Sequence, residues 1–541
     1  MNNRILFAIP ALLAVAASCG KTENGTSGAI TALATPTNVA VAQVNETTLN
    51  VTWTDNSSDE TGFGIYLIEP GDIENVQLHG SVGADETSYT LVEEDLIAEH
   101  SYYIGVRALA ADETNNSRLA KVLFKTDAPV DPNAPKLAIG KVETHDVCVR
   151  VAYTMENVDR TATVGVCWNE AGDPTVSDKC QDAALLSEND RSSRDQVISN
   201  VLLDYGKQYW FKAYAKVGKD VYYSEAVQGG LGSEAEAITF DWKKESISSL
   251  PSSVEVYSYD GLLNGRKCKA WYAIADLSKG DVEFKVNIPS GAQTIDDQAA
   301  AAGNCLVIVN GGYFYNGKNT GLGCVDGVIS GGVTAVRGSL KTEDEEYNVM
   351  YNVTRGVFGV DSSSKPAVYW TGAGASGDNY FFDRPLPSVK GEVQYGVAST
   401  GCPTANVAWK PQYAQSAGPV LLYDGKCPFD FETTAAGADY YLSNYEIMPY
   451  DIFGTGVKPD RTAAGYTADG KVILFIVDGR IDESDGADLM ELARIMKGLG
   501  CVAAVNFDGG GSTGMVAGGV HLNDQTGGNR AVMSTLGFYK K

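Results

Sequence analysis

Two short apolar runs near the C-terminus constrain the fold most. Val472 to Val477 is uninterrupted Val-Ile-Leu-Phe-Ile-Val, and Cys501 to Phe507 is a second strand-length apolar run. A strand that is apolar at every position is buried on both of its faces. Between the runs, Asp485 is placed to cap a helix carrying Leu489, Leu492, Ala493, Met496 and Leu499 on one side, with Gly498 and Gly500 to end it. Strand, helix, strand at this spacing predicts a right-handed parallel crossover. Residues 238–541, where glycine becomes abundant, are therefore expected to form an α/β (α+β) domain with a mixed sheet.

In open α/β sheets, ligands bind beyond the carboxyl ends of the strands. The first run ends in Asp478-Gly479-Arg480 and the second in Asn506-Phe507-Asp508, followed by Gly509, Gly510, Gly511, Ser512, Thr513 and Gly514. Parallel neighbours would bring Asp478, Arg480, Asn506 and Asp508 together. The glycines would let the backbone bend and aim N–H groups at an anion, with Ser512 and Thr513 adding hydroxyl donors; a plain structural turn is the alternative. Gly509, Gly511 and Gly514 fit G-x-G-x-x-G, but Met515 to Leu522 reads as a hairpin turning at Gly518-Gly519, not as the helix a dinucleotide site needs. A third apolar run, Cys305 to Val309, ends at Asn310 and leads through Gly312 to Tyr313 and Phe314, two aromatics that can form a sugar-stacking wall or belong to the core. His521 is the one histidine in this domain, so neither a His-ligated metal nor a Ser-His-Asp triad can be built there.

The N-terminal half reads differently. Residues 35–127 alternate short β-rich runs with turns; Leu49, Val51 and Trp53 share one strand face, and Leu96 stands six residues before Tyr102. This pattern resembles the fibronectin type III fold, with the Leu and Tyr of its tyrosine corner. The spacer 128–135 carries three prolines and favours an extended chain. In residues 136–232 Leu203 again precedes Tyr209 by six, which predicts a second all-β sandwich of the same kind, a spacer or binding module.

At the start of the chain, Arg4, the apolar stretch Ile5 to Ala17 and the small residues before Cys19 form a secretory signal over residues 1–19. Ala16-Ala17-Ser18-Cys19 resembles a bacterial lipobox, which implies lipidation at Cys19, a tether over 20–34, and a protein exported and lipid-anchored at the cell envelope, on the periplasmic face of the outer membrane or the cell surface. The lipid is the one membrane contact expected. A formal net charge of −26 repels polyanions and argues against nucleic acid as a partner. Ten cysteines, less Cys19, leave an odd number without C-x-x-C pairs; Cys402 with Cys427, or Cys167 with Cys180, could form disulfides or remain thiols.

Taken in order, Asn310-Gly311-Gly312-Tyr313-Phe314, Ala417-Gly418-Pro419, Arg461-Thr462-Ala463-Ala464-Gly465, Val477-Asp478-Gly479-Arg480, Glu491-Leu492-Ala493 and Asn506 to Thr513 resemble the motifs of the phosphodiester glycosidase family. Phe507 departs from the family, which more often has Leu there. The resemblance implies hydrolysis of a sugar 1-phosphate diester at the anomeric carbon, on a phosphorylated carbohydrate or glycan. Such a site holds the leaving phosphate, stabilises an oxocarbenium-like transition state and activates water or supplies a nucleophile. On this reading Arg461 and Arg480 take the phosphate, unless either is a structural ion pair, and Asp478 and Asp508 share the acid, base or nucleophile roles. Glu491 becomes a catalytic candidate through the family motif alone. No cofactor is expected. The competing readings are a non-catalytic glycan-binding lipoprotein and a phosphodiesterase holding Mg2+ or Ca2+ between Asp478 and Asp508.

Overall fold

The computed structural model describes residues 32–541 apart from 73–75, 128–132, 160–161, 184–191, 333–335, 342–345, 353, 374–377, 385–388, 391–406, 429–445, 447–457 and 527. The signal, Cys19, most of the tether, much of the proline spacer and Cys402 lie outside the described residues. No helix among the described residues is long and apolar enough to cross a membrane. The chain divides into two compact units, Met1–Ala134 and Pro135–Lys541.

The first unit is a β-sandwich. Thr37–Asn45, Thr48–Thr54 and Ser88–Val92 form a three-stranded sheet; Leu78–Gly83, Gly62–Ile68, Ser101–Leu109 and Ala120–Lys125, in that spatial order, form a four-stranded one. Period-two alternation sends Leu49, Val51 and Trp53 into the core against Phe63, Ile65, Leu91, Ile104 and Val106. The Tyr102 hydroxyl receives the Ile97 N–H at 3.0 Å, closing a tyrosine corner as the sequence predicts.

The second unit opens with another sandwich, whose strands run from Lys136–Thr144 to Val227–Gly229. It repeats the corner, with the Tyr209 hydroxyl receiving the Asp204 N–H at 2.9 Å. Cys167 and Cys180 are cross-strand partners and both are free thiols, the first pushed up to about 12 by burial. The sandwich is fastened to the rest of the unit: Lys426 Nζ donates to Leu203 O at 2.7 Å and pairs with Asp204 at 3.0 Å, and Asn200 Nδ2 donates to Cys427 O at 2.6 Å.

The remainder is built on three larger sheets around one core. A seven-stranded sheet has the order Lys243–Lys244, Val254–Leu263, Arg266–Ala275, Val472–Val477, Arg461–Thr467, Cys501–Asn506, Val420–Leu422. A five-stranded sheet centred on Thr535–Lys540 and Cys305–Asn310, and a six-stranded sheet centred on Pro411–Ser416 and Arg355–Asp361, complete the walls. Val472, Leu474 and Ile476 face this shared core, whereas Ile473, Phe475 and Val477 face the helix Leu489–Gly498.

Burial on both faces is thus as expected, but the parallel crossover is not. Arg461–Thr467 lies between the two apolar strands and pairs antiparallel with each, and every described sheet is antiparallel. The expected α/β domain with a mixed sheet is corrected to a mostly β domain with two described α-helices, Ile295–Ala302 and Leu489–Gly498, the second packed on an outer face of the seven-stranded sheet. The helix cap is corrected as well. Asp488 is the N-cap and forms a reciprocal capping box with Glu491, while Asp485 accepts the Lys267 N–H at 3.0 Å. The predicted hairpin is present: Met515–Ala517 pairs with Val520–His521 across Gly518 and Gly519, both at positive φ (57° and 82°), as a type I′ turn requires.

Candidate active site

Because Val472–Val477 and Cys501–Asn506 are each antiparallel to the strand between them, they run the same way and end at one edge of the sheet, roughly 10 Å apart at two strand spacings. The intervening strand begins at that edge with Asp460 and Arg461. Asn310, from the neighbouring sheet, stitches the loops together. Its Oδ1 accepts from Thr462 Oγ1 at 2.6 Å and from Gly514 N at 3.3 Å, and its Nδ2 donates to Asp508 O at 2.6 Å. Asn506 Nδ2 donates to the Tyr313 hydroxyl at 3.0 Å and to Gly418 O at 2.9 Å. Its Oδ1 is buried and has no hydrogen-bond partner among the described residues. An orphaned acceptor of this kind costs about 1–3 kcal/mol and marks a place for a ligand donor.

Three aspartates meet at this edge. Asp478 is fully buried; Asn523 Nδ2 donates to its Oδ1 at 2.8 Å and Asp524 N to its Oδ2 at 3.3 Å. Burial raises its carboxyl to about 6 against those two hydrogen bonds, and the negative charges of Asp460 and Asp524 push the same way. Asp460, also fully buried, has Thr526 Oγ1 at 2.7 and 2.9 Å from its two oxygens and Arg480 Nη2 at 3.3 Å. Asp508 is half-buried and accepts the Gly509 N–H at 3.0 Å. Burial pushes its carboxyl up, opposed by the Ser512 hydroxyl, the Gly509 N–H and the charge of Arg530.

The arginines sort differently from expectation. Arg480 is half exposed, paired with Asp460 and held at φ 59°, a left-handed conformation costing roughly 1–2 kcal/mol. Its guanidinium lies over Gly510, where a Cβ would come within 2.6 Å of Nη2. Arg461 is 1% exposed, and its Nε donates to Ala487 O at 3.1 Å, which places it on the helix side of the sheet. Arg530, which the sequence reading passed over, is exposed, lies 5.1 Å from the Phe314 ring centroid and acts on Asp508; among the described residues it makes no ion pair. Phe314 is thereby a platform for a cation, and Tyr313 donates its hydroxyl to Gly418 O.

Most N–H groups of the glycine loop are already engaged. The N–H groups of Gly509, Gly510, Ser512, Thr513 and Gly514 all donate within the protein, to Asp508, Asp460, Gly509, Gly510 and Asn310 respectively. The glycines serve close approach instead: a Cβ on Gly509 would sit 2.6 Å from Asp460 O, on Gly511 2.8 Å from Thr526 O, and on Gly312 2.6 Å from Ser416 O. Ser512 and Thr513 are both buried beneath the loop. Glu491 is held on the helix Leu489–Gly498. Arg266, Asn264 and the Asp488 N–H occupy its carboxylate at 2.5, 2.8 and 3.0 Å, on the helix side with Arg461.

Sequence reasoning missed Asp460, Asn523, Asp524, Thr526 and Arg530, because the segment after the hairpin has no periodicity; the signal available was the polar run Asn523-Asp524-Gln525-Thr526. It also missed Glu446. That buried carboxylate accepts from Gly356 N at 2.6 Å, Val420 N at 2.8 Å and Trp370 Nε1 at 2.8 Å, directly behind Gly418, and burial raises it to about 7. Among the described residues, no three acids of this edge bring ligand oxygens within 4.8 Å of one another.

Residues 303–539 match the model of the phosphodiester glycosidase family, and residues 34–120 match that of the fibronectin type III domain. Over 81 residues the chain is 36% identical to the SPbeta prophage-derived uncharacterized protein YomE of Bacillus subtilis, covering 15% of this chain and 13% of that protein. Over 63 residues it is 41% identical to the N-acetylglucosamine-1-phosphodiester alpha-N-acetylglucosaminidase of Mus musculus, covering 12% of each. The matches therefore span about an eighth of either relative. Among solved structures, the zebrafish N-acetylglucosamine-1-phosphodiester alpha-N-acetylglucosaminidase catalytic domain, auto-inhibited by its pro-peptide, aligns with 56% of this chain and 89% of that one, at 18% identity and a TM-score of 0.36.

Proposed function

We propose that this chain, which carries a phosphodiester glycosidase domain over residues 303–539 behind a fibronectin type III domain, hydrolyses a sugar 1-phosphate diester on a phosphorylated glycan. Water adds at the anomeric carbon, the bond from that carbon to the phosphate oxygen breaks, and the oxygen leaves with the electron pair as a phosphomonoester. The observation that carries the reading is the presence at one sheet edge of a half-buried, raised carboxyl, Asp508, and two solvent-reaching guanidinium groups, Arg480 and Arg530.

Asp508 is the group we assign to acid, base or nucleophile work, since it alone of the three aspartates reaches solvent. Arg480 and Arg530 meet the phosphate charge. Asp478 and Asp460 are positioning residues: the first holds Asn523 and Asp524, the second holds Arg480 and Thr526. The orphaned Asn506 Oδ1 is a candidate acceptor for a sugar hydroxyl.

A product assay on a sugar 1-phosphate diester, run with a chelator present, tests the reading. Free sugar plus phosphomonoester is the expected result. Sugar 1-phosphate plus alcohol, formed only when Mg2+ or Ca2+ is restored, would replace it with the phosphodiesterase reading, and no product at all would leave a glycan-binding protein.

A further inference from the structure

We propose that Asp55, Glu60 and Asp85 form a calcium site that clamps the two sheets of the first sandwich together. One carboxylate oxygen from each residue lies within 4.8 Å of the other two. Glu60 is only 8% exposed, and its Oε2 is sealed from solvent with no hydrogen-bond partner among the described residues; its Oε1 receives a long 3.3 Å bond from Asp85 N. The ion pairs of this sandwich, His79 with Glu93 and His100 with Glu69, lie elsewhere and involve none of the three acids.

A buried carboxylate oxygen left without a donor costs about 1–3 kcal/mol or more, and two like charges beside it add to that cost. A fold keeps such an arrangement when a cation supplies the missing partner. The donor set is all oxygen, with no histidine or cysteine, which selects a hard ion over zinc. Calcium binds oxygens at about 2.3–2.6 Å, so two of its ligands can stand up to roughly 5 Å apart; magnesium, at about 2.0–2.1 Å, would require them within roughly 4.2 Å. Oxygens within 4.8 Å of one another lie inside calcium's reach, and magnesium's demand for near-ideal octahedral geometry and its retained waters make it the poorer match for three side-chain carboxylates.

The position gives the ion a task. Asp55 and Glu60 lie on the loop that leaves Thr48–Thr54 in one sheet and enters Gly62–Ile68 in the other, and Asp85 lies on the turn that returns from Leu78–Gly83 to Ser88–Val92. An ion held by all three ties both crossings at one end of the sandwich. Calcium then stiffens the spacer, with an expected dissociation constant on the order of 0.1–1 mM, the range of extracellular modules.

The test uses the full chain, stripped with EGTA and titrated with CaCl2 by calorimetry, with thermal unfolding measured in parallel. A calcium-binding event that is lost in both Glu60→Gln and Asp85→Asn is expected, together with a calcium-dependent rise of a few degrees in wild-type melting that neither variant shows. Glu60→Gln should also melt higher than wild type without calcium, because it removes the uncompensated charge. Asp85 is exposed, so Asp85→Asn decides the matter if Glu60→Gln fails to fold. Absence of calcium binding in wild type, or equal binding in Asp85→Asn, overturns the proposal; an equal response to MgCl2 overturns the choice of calcium.

Discussion

The acids of the first sandwich and those of the C-terminal sheet edge both come as a trio, yet they are held by different partners. At the sheet edge each carboxylate has protein donors: Thr526 and Arg480 for Asp460, Asn523 and the Asp524 N–H for Asp478, the Gly509 N–H for Asp508. In the sandwich, Glu60 Oε2 has none. A carboxylate that the chain itself satisfies can be buried permanently and have its proton affinity tuned, which suits chemistry. A buried carboxylate oxygen that the chain leaves without a donor calls for an ion from outside. On the two proposals, the contrast separates a site suited to turning over substrate from one suited to holding a structural cation, although both look equally acidic in sequence.

The largest effect expected is at Asp508. Asp508→Asn keeps the shape and removes the charge, and turnover should fall by at least roughly a hundredfold with an unchanged melting curve. The same loss of charge in the sandwich, by Asp85→Asn, should leave turnover where it was. Near-normal turnover in Asp508→Asn would move the chemistry to another group and erase the contrast.

A smaller effect separates the arginines. Arg530→Ala should lower kcat/KM by about tenfold or more while melting shifts little, because it removes a charge at a solvent-reaching position; Arg480→Ala should lower kcat/KM comparably but melting as well, because it leaves the buried Asp460 without its cation. Arg461→Ala should do the reverse in kind: it strips a buried guanidinium from the helix side of the sheet, and melting should fall first, by the equivalent of roughly 3 kcal/mol. Steady-state kinetics beside calorimetry would show it, and a normal melting curve in Arg461→Ala would restore that residue as a phosphate ligand.

How far these positions could be read from sequence depended on what each signal encodes. The uninterrupted run Val472 to Val477 encodes burial on two faces, and that is what the strand has. It does not encode the direction of its neighbour, so Arg461–Thr467, contributed from nearby in the chain, could slip between the two apolar strands unseen. The loops still converge, because two strands flanking a common antiparallel partner end on the same edge. Motifs with local rules were legible: the leucine and tyrosine spacing at Tyr102 and Tyr209, and the Gly518-Gly519 turn. Side-chain direction was not. Arg461 and Thr462 are adjacent in one strand and point to opposite faces, so the motif holding both could not say which of them meets the site. Glu446 and Arg530 lie in stretches without periodicity, and only tertiary packing gives them a place.

The smallest and most graded prediction concerns pH, and it tests whether the sheet-edge acids are tuned at all. Asp478 is raised from 3.8 to about 6 and Glu446 from 4.5 to about 7, burial being the leading cause for both. A raised carboxyl means that the folded protein holds its proton more tightly than the unfolded chain does, so each group's contribution is fully present below its unfolded value and is lost as pH rises through the folded one. For Asp478 that window runs from about pH 4 to 6 and is worth roughly 3 kcal/mol; for Glu446 it continues towards pH 7. Melting of the second unit should therefore decline as pH rises from 4 to 7. Asp478→Asn should flatten the lower part of that decline and Glu446→Gln the upper part. A decline that persists unchanged in both variants would mean that the burial of these two groups is relieved in solution, and the distinction between the two trios would then rest on Glu60 alone.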